Sequence, residues 1–226
     1  MNLRPILGVN MDPKYFGFWP TVRQAWYRFV DAVPLLALVT PLSIHDKVVE
    51  RFRKFGRIVL LPEVPGVPTG NLAKLARFYL AAQQGSQVCI VDDIDLAPLQ
   101  SAHTVFNQAQ RQPGTILQVG TQVYDGTKAA GKLPITQMSG EGDLFRQLFR
   151  IGDLSFTDWI TGLPGMVTPI DGKENPRSTA TGADTRFSDE SLIRALFTLP
   201  GAPPRTCIPR QGSSQTDWID RGWWGI

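Results

Sequence analysis

Along the first hundred residues, short apolar runs alternate with segments in which apolar residues recur every three or four positions. The apolar runs lie at 5–11, 33–39, 57–61 and 88–91. The segments with helical spacing lie at 20–31, 46–54 and 71–84. The short runs predict buried strands, and the three-to-four spacing predicts amphipathic helices. This alternation is typical of an α/β domain with helices on both faces of a mostly parallel sheet.

The pattern is less regular after residue 100. The predicted strands are 115–119 and 135–139, and the predicted helices are 102–112, 143–149 and one from 187 onward. Ser188 is a suitable N-cap for the last helix, with Asp189 and Glu190 in its first turn. Residues 154–160 fit a helix or a strand equally well. Irregular chain is predicted at 14–19, 124–132, 162–186 and 200–226.

Composition limits the class of protein. The chain has 226 residues, 42% of them hydrophobic and 19% charged, which is enough for one large domain with a proper core. No run of eighteen apolar residues occurs and the first residues lack the features of a signal peptide. We therefore expect no membrane partner and a cytoplasmic location, the host cytoplasm if the chain is viral. Two cysteines fit a reducing compartment, and the net charge of +3 permits an anionic partner without requiring one.

Three carboxylates follow the strand predicted at 88–91. Asp92, Asp93 and Asp95 stand within four positions, just before Pro98. Like charges at one strand end repel one another, and a divalent cation that also binds phosphate oxygens would neutralise them. In an extended chain Asp93 and Asp95 point to the same side and can reach one ion. The alternative is a helix cap followed by a solvated turn, since short Asp-x-Asp strings also occur by chance.

The stretch Gly70–Arg77, read together with Asp92–Leu99, resembles glycosyltransferases of the GT-A fold. Those enzymes place a helix before the strand that carries Asp-x-Asp and a proline-leucine pair after it. The resemblance covers about the first 140 residues, and it implies a Rossmann-like three-layer α/β/α sandwich. It further implies a single domain over 1–226, in which 1–100 bind a nucleotide sugar and 101–226 bind the acceptor through the loop 162–186 and the C-terminal tail.

The same resemblance implies roles for individual residues. The metal, Mn²⁺ or Mg²⁺, would bind Asp93, Asp95 and a tail carboxylate, Asp220 or Asp217, unless water and phosphate complete its ligands. The implied donor-binding residues are Val9, Asn10, Met11, Asn71, Lys74, Arg77, Asp92, Asp93 and Arg221. Asp189 and Glu190 would supply the catalytic base. The C-terminal histidine that completes the metal site in many family members is missing from this tail.

Several of these assignments have a purely structural alternative. Lys74 and Arg77 could belong to a solvated helix face, Asp189 and Glu190 could only stabilise a helix N-terminus, and the tail tryptophans could be core residues. A sugar-phosphate nucleotidyltransferase is disfavoured because Met11–Phe16 is not a glycine-rich basic loop. A non-enzymatic nucleic-acid-binding module would leave the clustered carboxylates unexplained.

The sequence therefore predicts a metal-dependent transferase that moves a sugar from a nucleotide-linked donor, UDP in the first instance, to an acceptor hydroxyl. Basic residues in the long loop and the tail would suit a DNA acceptor. Similar compact enzymes add sugars to hydroxymethylated bases of bacteriophage DNA, which makes such a base one expected acceptor. A saccharide or a cell-surface acceptor is the alternative.

Overall fold

The centre of the computed structural model is a seven-stranded sheet. The structure describes residues 3–98, 111–119, 137–166, 188–208 and 218–219. The sheet strands are β1 (Arg4–Asn10), β2 (Leu35–Val39), β3 (Arg57–Leu61), β4 (Val88–Asp93), β6 (Ile116–Val119), β7 (Met138–Glu141) and β8 (Arg205–Ile208). Two shorter strands, β5 (Ala97–Pro98) and β9 (Trp218–Ile219), form a separate antiparallel pair.

The strand order across the sheet is β3-β2-β1-β4-β7-β6-β8. Strands β3, β2, β1 and β4 are parallel, whereas β7 runs antiparallel to both of its neighbours and β8 is parallel to β6. From β1 the chain moves outward through β2 to β3 and then returns to β4 on the other side. The connections therefore diverge between β1 and β4, and in open α/β sheets this is where ligands bind, at the carboxyl ends of the strands. The prediction of a mostly parallel sheet is confirmed.

Helices cover both faces of the sheet. One face carries α1 (Pro13–Phe16), α2 (Trp19–Ala25) with a π-helical turn (Trp26–Val30), and α3 (Lys47–Arg53). The other face carries α4 (Thr69–Ala82), α5 (Gly142–Leu148), α6 (Phe156–Met166) and α7 (Ser188–Phe197). Each layer packs on its own apolar core, the first built around Trp19 and Trp26 and the second around Phe78, Phe149 and Trp159. This is the predicted three-layer sandwich.

Helix α4 is the most enclosed helix of the described chain, because the sheet lies beneath it and α5 and α7 pack against it. A Cβ atom at Gly8 in β1 would overlap the carbonyl oxygen of Ala73 in α4. A Cβ at Gly142 would lie 2.5 Å from the carbonyl oxygen of Ala81. Gly8 thus allows the backbone of α4 to approach β1 closely, and Gly142 allows the start of α5 to approach the end of α4.

Four local predictions are corrected. Residues 13–16 form α1, which Asp12 caps by accepting a hydrogen bond from the Lys14 backbone N–H at 3.0 Å, so 14–19 is not irregular throughout. Residues 154–160, which fitted a helix or a strand equally well, lie largely in α6. This helix extends to Met166 and therefore includes the first five residues of the predicted loop 162–186. The predicted tail supplies β8 to the main sheet and β9 to the small pair. Residues 102–110, 124–132 and 167–186 lie outside the described residues.

Candidate active site

The carboxyl ends of β1 and β4 lie side by side. Gly8 pairs with Asp93 in the parallel register, so Asn10 and Asp93 end neighbouring strands at the same edge. The Asn10 side-chain amide donates a hydrogen bond to the Thr69 hydroxyl at 3.1 Å, and Thr69 is the first residue of α4. The ends of β1 and β4 and the start of α4 therefore meet at this edge, which we call the crevice.

An ion pair joins α4 to the end of β4. The Arg77 guanidinium donates to Oδ1 of Asp93, and its Nε donates to the carbonyl oxygen of Lys74 at 3.1 Å. The Arg77 side chain is 3% exposed and that of Asp93 is 39% exposed. Arg77 is therefore a buried residue that holds a partly exposed carboxylate, and the alternative of a solvated helix face is wrong for this residue. Lys74, one turn earlier on α4, is half-buried.

Asp92 lies on the opposite face of the sheet from Asp93, since side chains alternate along a strand. It is completely buried, and its Oδ1 accepts a hydrogen bond from the Asp93 backbone N–H at 2.9 Å. Within the described part of the chain, its Oδ2 has no hydrogen-bond partner. Burial, and after it the neighbouring charge of Asp93, raises the pKa of Asp92 well above its ordinary range. The environment of Asp92 thus favours the neutral form of its carboxyl group over the charged form.

Two expectations about the aspartates are corrected. The first assumed three repelling negative charges, but burial favours the neutral form of Asp92 and Arg77 offsets the charge of Asp93, so the repulsion among the three carboxylates is weaker than expected. The second assumed an extended Asp-x-Asp, but β4 ends at Asp93 and the chain turns at Ile94 and Asp95, with the Leu96 N–H donating to the Asp93 carbonyl oxygen at 3.3 Å. Any shared position of Asp93 and Asp95 at one ion thus arises from a turn.

The remaining predicted donor residues have different environments. Val9 is buried in the α2 layer, and Met11, just after β1, is partly buried against the same core. Asn71 is 1% exposed in the first turn of α4. The structure therefore brings Asn10, Asn71, Lys74, Arg77 and Asp93 to the carboxyl edge. Val9 instead packs in the apolar core on the α2 face of the sheet.

The tail approaches this edge through the small strand pair. Ala97 pairs with Ile219 and Pro98 pairs with Trp218, so β9 lies beside the segment that follows Asp95. Asp220 and Arg221 come directly after β9 in the sequence and lie outside the described residues. Asp189 and Glu190 belong to the first turn of α7, and their side chains lie outside the described part of the structure. Their roles stay predictions.

A divalent cation fits the donor chemistry of this edge in part. Asp93 and Asp95 offer carboxylate oxygens, the ligand type that Mg²⁺ and Mn²⁺ prefer, and Asp95 is half-buried. No group of three His, Cys, Asp or Glu side chains suited to a metal occurs in the described ranges. Two protein carboxylates leave most coordination positions to other oxygens, such as those of a bound diphosphate.

Sequence reasoning missed Thr69 and the Arg77–Asp93 pair. A signal was available for the second: Arg77 is the single charged residue after Lys74 in a helix that is apolar on every side, and such a helix is buried. A buried arginine needs an acidic partner, and the aspartates of the next strand are the first acidic residues after it in the sequence. No comparable signal pointed to Thr69.

Comparison with solved structures identifies the fold. A structure of the glycosyltransferase GlyE from Streptococcus pneumoniae TIGR4 superposes with a TM-score of 0.52 at 12% identity, covering 96% of this chain and 46% of that one. The mannosyltransferase PcManGT from Pyrobaculum calidifontis, in complex with GDP-Man and Mn²⁺, gives a TM-score of 0.43 at 11% identity, covering 75% and 55%. No protein-family model and no curated protein matches the sequence.

These similarities show the fold alone, because the identities are far below those that carry function. With the observed sheet order, the GlyE structure establishes the GT-A fold for this chain and confirms the predicted fold class. The chain spans less than half the length of the GlyE structure. No helix in the described part of the chain is both long and apolar enough to cross a membrane.

Proposed function

We propose that this chain is a glycosyltransferase that moves a sugar from a nucleotide-sugar donor to an acceptor hydroxyl. The observation that carries the proposal is the Arg77–Asp93 pair at the carboxyl edge of β4, next to the end of β1. A fold of this class binds ligands at that edge, and a buried arginine is an uncommon means of holding a carboxylate there. The donor proposed first is UDP-linked.

The chain's own residues have distinct roles in this proposal. Asn10 and Asn71 would contact the nucleoside, since the end of β1 and the start of α4 border the crevice. Arg77 would hold Asp93 in one orientation rather than contact the diphosphate directly, because its guanidinium is already engaged. Lys74 and Arg221 would supply positive charge to the leaving diphosphate.

A divalent metal belongs to the proposal, with Asp93, Asp95 and Asp220 as its protein ligands. Bound Mn²⁺ or Mg²⁺ would offset the negative charge that develops on the diphosphate. Holding Asp93 rigidly through Arg77 lowers the conformational cost of presenting its carboxylate to such an ion.

Asp189 or Glu190 would accept the proton of the acceptor hydroxyl. One contact supports this placement: the Arg205 guanidinium lies 5.0 Å above the Phe197 ring, which puts the end of α7 beside the start of β8. Because β8 starts at the amino edge of the sheet, the last turn of α7 lies near that edge, and in this proposal the first turn lies nearer the crevice. The acceptor proposed first is a hydroxymethylated nucleobase of phage DNA, because the loop 162–186 and the C-terminal tail carry basic residues that would suit DNA.

The test is a titration of UDP-glucose and GDP-mannose, with and without Mn²⁺, on wild type and on Asp93→Asn. Metal-dependent binding that falls at least tenfold in the variant would support the donor site. Glu63→Gln, an exposed carboxylate in the loop before α4, serves as the matched control and should bind like wild type. A folded wild type that binds neither donor would overturn the proposal.

The acceptor is tested separately, by sugar transfer from the bound donor. Hydroxymethylated DNA, unmodified DNA and a simple saccharide are compared as acceptors. Transfer to the hydroxymethylated DNA alone supports the DNA acceptor, and transfer to the saccharide alone replaces it with the alternative. Donor hydrolysis without transfer to any of them would leave the donor site intact and remove all three acceptors.

A further inference from the structure

Exposed apolar side chains are concentrated in one part of the described chain. Five large hydrophobic residues are strongly exposed, and four of them lie between residues 27 and 55. The four are Tyr27 at 50%, Val33 and Val48 at 44% and Phe55 at 40%, and the fifth is Leu154 at 39%. Single exposed apolar residues are ordinary, but a group of them on one surface marks an interaction site.

Positive charge is concentrated in the same segment. Residues 27–55 carry five Lys and Arg against three Asp and Glu, and Arg23 and Arg57 on either side bring the count for 23–57 to seven against three, whereas the whole chain carries 23 against 20. Arg28, Arg51, Arg53, Lys54 and Arg57 are all exposed. The remainder of the chain is thus close to neutral, and this segment carries its basic character.

The topology brings these residues to the amino edge of the sheet. Val33 precedes β2 and Phe55 precedes β3, and because the two strands are parallel, both residues lie at the edge where strands begin. The Arg23 guanidinium lies 5.2 Å above the Tyr27 ring. A Cβ at Gly56, next to Phe55, would lie 3.6 Å from Cγ of Arg23, so the end of α2 lies close to the segment that follows α3.

We propose that this amino-edge patch, formed by Tyr27, Arg28, Val33, Arg53, Lys54 and Phe55, binds the surface of a membrane that contains anionic lipids. Lysine and arginine would contact the headgroups, and the apolar side chains would enter the interface between headgroups and acyl chains. Contact with a membrane surface needs no spanning helix.

Neither helix stabilisation nor a nucleic-acid partner accounts for the whole patch. Cations at the last turns of short helices stabilise the helix dipole, but this leaves the exposed apolar side chains unexplained. A nucleic acid would use the cations and could stack on Tyr27 and Phe55, but the aliphatic side chain of Val33 offers no stacking surface. A lipid interface uses all three kinds of side chain.

The amino-edge patch lies at the opposite edge of the sheet from the crevice. Strands of five residues, such as β2 and β3, span about 17 Å. A chain bound to a membrane through this patch therefore keeps the ends of β1 and β4 open to solvent. The proposal is independent of the reaction proposed above, because it makes no use of the crevice residues.

The test is flotation of the full chain with vesicles of phosphatidylcholine alone and of phosphatidylcholine with phosphatidylserine. We expect binding to the anionic vesicles only, weakened by salt. Arg53→Gln with Lys54→Gln should lower the partition about 25-fold, at about fivefold for each basic residue near an anionic surface. Tyr27→Ser with Phe55→Ser should lower it about tenfold.

The matched controls lie in the other half of the chain. Leu154→Ser changes an equally exposed apolar residue, and Arg150→Gln with Arg194→Gln removes two exposed cations, so both should leave the partition unchanged. Circular dichroism and thermal unfolding check that every variant is folded. The proposal is overturned if the folded wild type binds no anionic vesicle, if controls and patch variants lose binding equally, or if the patch variants lose affinity for DNA while vesicles are not bound.

Discussion

Asp92 and Asp93 are adjacent in sequence, yet they lie in different chemical environments. Asp93 lies on the α4 face of the sheet, partly exposed and paired with Arg77. Asp92 lies on the α2 face and is fully buried, which raises its pKa, and its Oδ1 accepts a hydrogen bond from the Asp93 backbone N–H. Because successive side chains of a strand point to opposite faces, the two adjacent carboxylates lie on opposite sides of the sheet. A run of acidic residues at a strand end therefore does not by itself give the charge of a site.

The two faces also differ in how their helices are held. On the α4 face a helix backbone approaches the β1 backbone directly at Gly8. On the α2 face large aromatic rings fill the space between helix and sheet, and the Trp19 indole donates to the Phe52 carbonyl oxygen at 3.2 Å. Backbone contacts cannot adjust, whereas side-chain contacts can adjust slightly, so the α4 face should be the less tolerant of change.

The largest effect is expected from Gly8→Ala. The added methyl group overlaps the Ala73 carbonyl oxygen, so α4 must shift, and we expect a loss of about 3 kcal/mol or more in the free energy of unfolding. Urea denaturation measures it. Gly70→Ala, with no atom near its new Cβ, is the control and should be neutral or stabilising by about 0.5 kcal/mol. Equal effects of the two substitutions would contradict the close approach of α4.

Asp93→Asn is expected to cost about 2 kcal/mol, because it removes the charge that Asp93 presents to the buried Arg77 guanidinium. Asp153→Asn breaks an exposed pair with Arg146 and should cost less than about 0.5 kcal/mol. Chemical denaturation of both variants at neutral pH gives the comparison. If the two costs are equal, the Arg77–Asp93 pair does not hold α4 to β4.

Gly56→Ala tests the α2 face. Its new Cβ would lie 2.7 Å from the Trp19 ring, which is buried and hydrogen-bonded, and we expect a loss of about 1–2 kcal/mol. The indole can tilt where a helix backbone cannot, so the loss should be smaller than that of Gly8→Ala. The shift in tryptophan fluorescence reports the movement, and a loss greater than that of Gly8→Ala would reverse our ranking of the two faces.

Asp92→Asn should change stability by an amount that depends on pH. The folded-state pKa of Asp92 is raised, so its contribution to stability is fully present below the unfolded pKa of about 3.9 and is lost as pH rises through the folded pKa. Asp93, Asp95 and Arg77 are the charged groups that act on it. Over this window the stability of the variant relative to wild type should rise by at most about 1.4 kcal/mol per pH unit.

Denaturation of wild type and Asp92→Asn at several pH values from 4 to neutral measures this effect. Asp158→Asn, at an exposed helix position, is the control and should show no such trend. A constant difference between Asp92→Asn and wild type at all these pH values would mean that Asp92 is ionised in the folded protein.

Most of the parallel half of the fold was predictable from the sequence, because its strands are apolar throughout and its helices carry regular spacing. Strand β6 was placed within one residue of its observed bounds for the same reason, and β7 within three residues although Met138–Glu141 is not an apolar run. Strand β8 was not predictable, since Arg205–Ile208 has no apolar run and exists only because β6 offers it an edge. The helix α1 was missed because its four residues, Pro13–Phe16, are too few to show a helical period, although Asp12 and Pro13 were a usable start signal.

The candidate site was predictable in its location and not in its charges. The aspartates at the end of β4 and the residues ending β1 could be placed at one edge by topology alone. The raised pKa of Asp92 depends on its burial in the folded chain, which the neighbouring sequence does not reveal. The pairing of Arg77 with Asp93 depends on the separation between α4 and the sheet, which Gly8 sets through a contact that no periodicity reveals.

The enclosure of α4 also has a consequence for the order in which backbone amides exchange with deuterium. Amides in elements buried on every side exchange only through large openings of the molecule, while those of exposed short helices exchange through local fraying. The amides of α4 and β1 should therefore exchange last, and those of α3, which buries only Val49, should exchange among the first. The backbone of α4 and β1, which borders the crevice, should therefore have the same arrangement before and after a ligand binds.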